Sequence, residues 1–269
     1  VDKEISVVIT GVAGKMGRET AKAVLAEAPA LKLVGAVDPR ADGKDLGDYL
    51  GLAEGRGIII GGDLNRLLQG VKADVLVDFT NPQAVLSNAK TALEYGVAPV
   101  IGTTGLDEVD IAELREISER VGVAVLIVPN FALGAVLMME FARRAAQYFR
   151  HVEIIEMHHD QKIDAPSGTA IKTAQMIAGE RGSFKQGHPE EYEKVPGARG
   201  GEFEGLRIHS VRLPGLVAHQ QVIFGGPGQI LSIRHDSLHR ESFMPGVIMA
   251  IRKVRDLRGV VIGLEKILD

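Results

Sequence analysis

Between residues 5 and 128, short runs of Val, Ile and Leu alternate with amphipathic stretches, and no other feature limits the fold so strongly. The apolar runs cover residues 5–10, 31–37, 58–60, 75–79, 97–101 and 123–128, and most are continuous rather than alternating. Strands of that kind are buried on both faces, which requires a parallel sheet covered by helices on either side. Helical patterns over residues 15–28, 64–68 and 109–121, and from Asn81-Pro82 to Tyr95, supply those helices. Asp63 and Asn81 stand where N-caps belong, and Pro82 where a first helical turn accepts proline.

The pattern changes at Pro129-Asn130. A helix over 133–149, a strand running into His158-His159 and a helix over 166–181 precede a Gly/Pro/charge-rich stretch, 182–205, which reads as a long loop. Strand-like runs at 206–213, 216–224 and 229–234 are separated by Pro214-Gly215 and by Gly225-Gly226-Pro227-Gly228, both of which read as hairpin turns. A helical pattern returns over 242–257 and is expected to pack back on the first domain.

At 269 residues the chain has room for two modest domains. It contains no cysteine, which removes a disulfide scaffold, a thiol nucleophile and a thiolate-rich zinc site. No metal site is expected. A net charge of -4 without a basic run offers nucleic acid nothing to bind. No apolar run approaches the roughly 20 residues of a membrane span. The charged start, Val1-Asp2-Lys3-Glu4, is unlike a signal peptide, and a cytoplasmic location is expected.

Strand one ends in Gly11-Val12-Ala13-Gly14-Lys15-Met16-Gly17, which opens a helix. This G-x-x-G-x-x-G spacing permits a tight turn, close backbone approach to a pyrophosphate and close helix–sheet packing. Asp38, at the end of the second strand, is placed to accept hydrogen bonds from an adenosine ribose. Arg40 and Lys15 offer positive charge for a 2′-phosphate, so NADH and NADPH are both candidates. Phe79-Thr80-Asn81-Pro82 and Gly102-Thr103-Thr104-Gly105 follow strands at the same carboxyl edge. Together these features point to a Rossmann-type domain that binds a dinucleotide.

Residues 156–170, Glu-Met-His-His-Asp-Gln-Lys-Ile-Asp-Ala-Pro-Ser-Gly-Thr-Ala, carry the second chemical signal. His158 and His159 move protons near neutral pH, and Lys162 is a fixed cation. Ser167, Gly168 and Thr169 sit where a helix begins, with Pro166 near its first position, and such a start attracts anions. Adjacent histidines in extended chain point to opposite faces, which disfavours a shared metal ion. Asp160 and Glu156 are candidates to keep a histidine protonated. The whole describes a pocket for a carboxylated substrate that needs a proton.

Gly11 to Gly17, Asp78-Phe79-Thr80, Ile101-Gly102-Thr103-Thr104-Gly105, Pro129-Asn130-Phe131 and the 156–170 string occur here in a particular order. With Val195-Pro196-Gly197, the 207–212 segment, Gly215, His219 and Arg234-His235, that order resembles the 4-hydroxy-tetrahydrodipicolinate (dihydrodipicolinate) reductases of the diaminopimelate–lysine pathway. The resemblance spans essentially the whole chain. It implies an α/β protein: a Rossmann-type parallel-sheet domain from residues 1–129 and 240–269, and a smaller α+β domain with a mixed sheet, residues 130–239. The second domain would bind substrate and assemble a homotetramer.

The resemblance also implies roles: His158 as the general acid and Lys162 as the second catalytic cation, with His159, Gly168 and Thr169 binding substrate. Gly11, Val12, Ala13, Gly14, Lys15, Met16, Asp38, Gly102, Thr103, Thr104, Val128, Pro129, Asn130 and Phe131 match cofactor positions for NADH, NADPH or both. The implied reaction is NAD(P)H-dependent reduction of a cyclic, imine-type dicarboxylate to tetrahydrodipicolinate. Val128-Pro129 and the Asp38-Pro39-Arg40 turn depart from the pattern of many relatives, and the second leaves cofactor preference open. An amino- or imino-acid dehydrogenase would share the nucleotide domain but leave the His-His-x-x-Lys string unused. A dinucleotide sensor would need no proton donor.

Overall fold

The computed structural model describes residues 4–268; the expectation drawn from Val1, Asp2 and Lys3 lies outside the described residues. The chain begins with β1 (Ile5–Thr10), α1 (Lys15–Ala26), β2 (Leu31–Val37), α2 (Leu46–Leu50) and β3 (Ile60–Gly61). Next come α3 (Leu64–Gly70), β4 (Val75–Asp78), α4 (Val85–Glu94), β5 (Ala98–Ile101), α5 (Glu108–Val121) and β6 (Val125–Ile127). Then follow α6 (Leu133–Ala145), β7 (His151–His158), α7 (Gly168–Arg181), β8 (Gly201–Phe203), β9 (Leu206–Arg212), β10 (Ala218–Gly226) and β11 (Gln229–Ser237). Last are α8 (Met244–Lys253) and β12 (Val260–Ile262). Two compact units result: one holds the chain up to Phe131 and again from Phe243, the other Ala132–Ser242.

The first unit is a seven-stranded parallel sheet in the order β12-β6-β5-β4-β1-β2-β3. Val7, Val8 and Ile9 are all fully buried, so β1 is covered on both faces, as a continuous apolar run requires. Val8, Val37 and Leu76 pack with Leu64 and Leu68 of α3, while Ile101, Val125 and Ile127 pack with Leu114 and Ile117 of α5. Burying each such side chain contributes about 1.5–3 kcal/mol. The predicted caps act locally: the Asp63 carboxylate accepts the Arg66 N–H at 2.7 Å. Asn81 accepts the N–H groups of Gln83 and Ala84, capping a turn that precedes α4 rather than α4 itself. α8 packs on α1 within this unit, as expected of the C-terminal helix. The short α2 and the closing strand β12, which pairs with β6, were not foreseen.

In the second unit the order is β11-β10-β7-β9-β8, with β7 parallel to β9 and the other pairs antiparallel. Val152, Ile154, Ile208, Val222 and Phe224 face Ala142, Ala146, Ala170, Ala174 and Ile177 on α6 and α7. The hairpin predicted at Pro214-Gly215 does not form, because β7 lies between β9 and β10. The connection instead passes the end of β7, where the Leu213 N–H donates to the His158 carbonyl at 3.1 Å. The β10–β11 hairpin forms as predicted, with Gly226 opposite Gln229. The predicted loop 182–205 ends in the short strand β8, and α6 stops at Ala145 rather than 149. No helix among the described residues is long and apolar enough to cross a membrane.

Candidate functional site

In a parallel sheet, ligands bind beyond the carboxyl ends of the strands where the winding direction switches, here between β1 and β4. That edge carries the Gly11 turn after β1, Asp38 after β2, and the loops after β4, β5 and β6. Gly11 takes φ +79°, and a Cβ there would run into the Phe79 carbonyl. A Cβ on Gly17 would meet the Gly11 carbonyl, so both positions need glycine for the strand, turn and helix to approach. Gly14 is the N-cap of α1, and Lys15 and Met16 are its first residues; Val12 is buried and Ala13 half-buried. Such a turn, with glycine at its three close approaches, fits a pyrophosphate at a helix N-terminus.

Asp38 is 2% exposed, and its carboxylate joins two loops. Oδ2 accepts the Ala13 N–H at 2.9 Å, and Oδ1 accepts the Arg40 N–H at 3.0 Å. The Arg40 guanidinium forks onto both oxygens at 2.9 and 2.8 Å. Burial pushes the Asp38 carboxyl up, but the hydrogen bonds from Arg40 and Ala13 outweigh it and hold it below the ordinary range. Gly102 follows β5, with its N–H on the Asp78 carbonyl; Thr103 is half-buried and Thr104 exposed. After β6, Val128 donates to the Ile101 carbonyl, Pro129 is exposed, Asn130 half-buried and Phe131 buried. The Phe131 and Phe79 rings pack at 5.5 Å.

In the second unit, alternation along β7 puts Val152, Ile154 and Glu156 on the helix-covered face, and His158 follows Glu156 by two residues on that face. Glu156 is fully buried. Its Oε2 accepts from His158 Nδ1 at 2.5 Å and from Arg212 Nη1 at 3.0 Å. Its Oε1 accepts from Arg212 Nη2 at 2.8 Å and from the Ser167 N–H at 3.3 Å. Arg212 Nη2 also donates to the Asp164 carbonyl at 2.7 Å. Burial alone would push the Glu156 carboxyl up; hydrogen bonds from His158, Arg212 and Ser210 reverse this and hold it at about 2. Because an ionised carboxylate only accepts, Nδ1 of His158 carries a hydrogen and Nε2 is left for a ligand.

The helix α7 begins two residues later than predicted. Ser167 is the N-cap, its hydroxyl accepting the Ala170 N–H, and Pro166 lies outside the helix. Gly168 is exposed, Thr169 half-buried, and the Thr169 carbonyl accepts from Thr173. Lys162 Nζ donates to Asp164 at 2.6 Å. His159 is exposed, and its carbonyl accepts the Lys162 N–H. Of the two carboxylates considered for His158, Glu156 makes the contact, while Asp160 is exposed and accepts from Gln161. Arg212 and Ser210 had no assigned role; a strand arginine 56 residues from its partner leaves no local signal. His219 uses both ring nitrogens internally, with Nδ1 on Asp236 at 2.7 Å and Nε2 accepting the Val217 N–H at 3.2 Å.

A Rossmann-type sheet joined to an α+β unit bearing an imidazole, an ammonium and a helix start defines a class of two-unit oxidoreductases. Family models described as dihydrodipicolinate reductase, N-terminus, and dihydrodipicolinate reductase, C-terminus, match residues 5–131 and 134–268. The chain belongs to the dihydrodipicolinate reductase family. It is 56% identical over 268 residues to the 4-hydroxy-tetrahydrodipicolinate reductase of Desulfitobacterium hafniense (strain DSM 10664 / DCB-2), covering 99% of this chain and 100% of that protein. The corresponding protein of Syntrophomonas wolfei is 55% identical, over 97% and 98% of the two chains. A solved structure described as dipicolinate-bound dihydrodipicolinate reductase from Paenisporosarcina sp. TG-14 matches with a TM-score of 0.88 at 47% identity, covering 99% and 100%. An amine dehydrogenase from Mycobacterium smegmatis, 17% identical with a TM-score of 0.69 over 96% and 94% of the chains, shares the fold.

Proposed function

We propose that this protein reduces 4-hydroxy-tetrahydrodipicolinate to tetrahydrodipicolinate with NADH or NADPH, within the diaminopimelate–lysine pathway. The observation that carries this reading is the Glu156 carboxylate, which fixes His158, Arg212 and the start of α7 in one cluster. The dipicolinate named with the Paenisporosarcina protein is a cyclic dicarboxylate of the same shape class, which supports the substrate assignment. Bound at the first unit, the reduced nicotinamide supplies a hydride. Gly11, Val12, Ala13, Gly14, Lys15 and Met16 hold its pyrophosphate, and Asp38 its ribose. Gly102, Thr103, Thr104 and the 128–131 segment line the nicotinamide end.

Once the 4-hydroxyl has left as water, the conjugated ring accepts the hydride, and His158 protonates from Nε2 the ring carbon left with enamine character, so that one water is released for each NAD(P)H oxidised. A positioned acid contributes about 10²–10⁴-fold. Glu156 holds the ring through Nδ1, so the proton can leave only from the other nitrogen. Lys162 and the Gly168–Thr169 helix start bind carboxylate, and His159 lies beside them. The partly exposed Lys162–Asp164 pair is worth no more than about 1 kcal/mol, so a substrate carboxylate competes readily for the ammonium. Asp38 and Arg40 set cofactor preference: a ribose hydroxyl uses the carboxylate, whereas a 2′-phosphate draws the guanidinium away from it. Assembly into a homotetramer uses the five-stranded sheet, whose edge strand β11 exposes Ile230 and Leu231; sedimentation equilibrium at two protein concentrations tests this.

The decisive assay follows loss of 340 nm absorbance from NADH and then NADPH, with substrate made in situ from pyruvate and aspartate semialdehyde by the preceding synthase. Synthase-dependent oxidation is expected; cofactor binding without turnover would remove the substrate assignment. In the same assay Lys162→Met raises KM and lowers kcat together.

A further inference from the structure

Asp78 is the last residue of β4, the middle strand of the seven, and is 1% exposed. Five hydrogen bonds converge on its carboxylate. Oδ2 accepts from Thr10 Oγ1 at 2.7 Å and from Asn88 Nδ2 at 2.8 Å. Oδ1 accepts from the Thr80 N–H at 3.0 Å, Thr80 Oγ1 at 2.7 Å and Thr103 Oγ1 at 2.6 Å. Thr103 Oγ1 in turn accepts the Thr80 N–H at 2.8 Å, and the Gly102 N–H donates to the Asp78 carbonyl at 2.9 Å.

The donors come from the end of β1, the loop after β4, the loop after β5 and the body of α4. Buried carboxylates are kept only where donors satisfy them, and this one is satisfied by groups drawn from separate loops. A loop held to one geometry loses less entropy when it closes on a ligand. We infer that Asp78 is a positioning residue for cofactor binding: it locks the loops after β4 and β5 against the glycine turn, so that the dinucleotide meets a preformed edge. The inference rests on the reading of this edge as the dinucleotide site.

The test is cofactor titration, followed by NADH fluorescence, with kinetics and thermal melts on the same samples. Asp78→Ala is expected to weaken NADH binding about tenfold or more, with the rise in cofactor KM exceeding the fall in kcat. Ile117→Ala, on the buried face of α5, serves as a destabilised reference whose melting temperature falls without that loss of affinity. If affinity falls equally in both variants, or stays at the wild-type value in Asp78→Ala, the positioning role is overturned. Should Asp78→Ala not fold, Thr10→Val carries the test, because Thr10 is buried on β1, touches Asp78 and is assigned no contact with the cofactor. It is expected to weaken binding about fivefold by loosening the anchor, with recovery in Thr10→Ser, which keeps the hydroxyl. Failure of the serine variant to recover affinity overturns the role as well. Wild-type protein that binds neither NADH nor NADPH overturns the dinucleotide reading and this inference together, which separates that failure from a silent Asp78 variant.

Discussion

Asp78 and Glu156 are both buried carboxylates on the middle strand of a sheet, β4 of seven strands and β7 of five. Each ties together loops that lie far apart in sequence. They differ in what satisfies them. Asp78 collects hydroxyls, an amide and a backbone N–H, all neutral. Glu156 collects a guanidinium and an imidazole besides a backbone N–H and the Ser210 side chain. The first arrangement fixes shape. The second couples shape to charge, because removing or adding a proton at either partner changes a buried electrostatic balance. The division follows the chemistry assigned to each unit: the sheet that takes a cofactor needs a rigid edge, and the unit that moves a proton needs a charged anchor.

The comparison breaks most sharply at His158. His158→Gln is expected to lower kcat by about 10²–10⁴-fold while NADH affinity stays near wild type. A kcat close to wild type would leave the charged anchor with nothing to anchor.

Glu156→Gln comes next and carries a pH signature. The Glu156 carboxyl is held at about 2 against an ordinary value of 4.5, so its folded-state pKa is depressed. Stability from it is therefore fully present above about pH 5 and is lost as pH falls towards 2, amounting to roughly 3 kcal/mol. Urea unfolding of wild type and Glu156→Gln should differ by that order at pH 7, with the gap closing between pH 5 and 2.5. A gap independent of pH would mean that the charge of Glu156 does not hold the cluster.

Smaller effects sharpen the same contrast. Asp38 resembles Glu156 in pairing with arginine, yet sits at the cofactor edge. Asp38→Ala frees Arg40 and is expected to shift the ratio of kcat/KM values towards NADPH by about tenfold. An unchanged ratio would place the ribose elsewhere. Ser167→Ala removes the cap of α7 and should cost about 1 kcal/mol of stability, with a modest rise in substrate KM. A rise in cofactor KM instead would argue against the anion-binding role of that helix.

Local signals made much of this molecule legible. β1 and β2 begin and end where the apolar runs do, because strands of a sheet covered on both faces show themselves as mainly apolar stretches, even where a residue such as Lys32 faces solvent. Asp63 and the glycine turn were also readable, since caps and tight turns depend on a few neighbouring residues. Pro166 misled by position: it precedes the cap, because Glu156 takes the Ser167 N–H and turns the chain before α7 starts. Pro214-Gly215 misled for a different reason. A Pro-Gly pair reports that the chain turns but not which strand it turns towards, and β7 occupies the place beside β9 that β10 was expected to fill.

The sequence by itself determined the parallel sheet, the glycine turn at its carboxyl edge, and the string that places His158, Lys162 and a helix start within a few residues. Those are short-range facts, set by periodicity and by the geometry of turns and caps. Only the tertiary structure decided that Arg212 holds Glu156 from 56 residues away, and that Thr10, Asn88 and Thr103 meet on Asp78. Strand order and register make those pairings, and a buried carboxylate takes whichever donors the folded sheet brings to it.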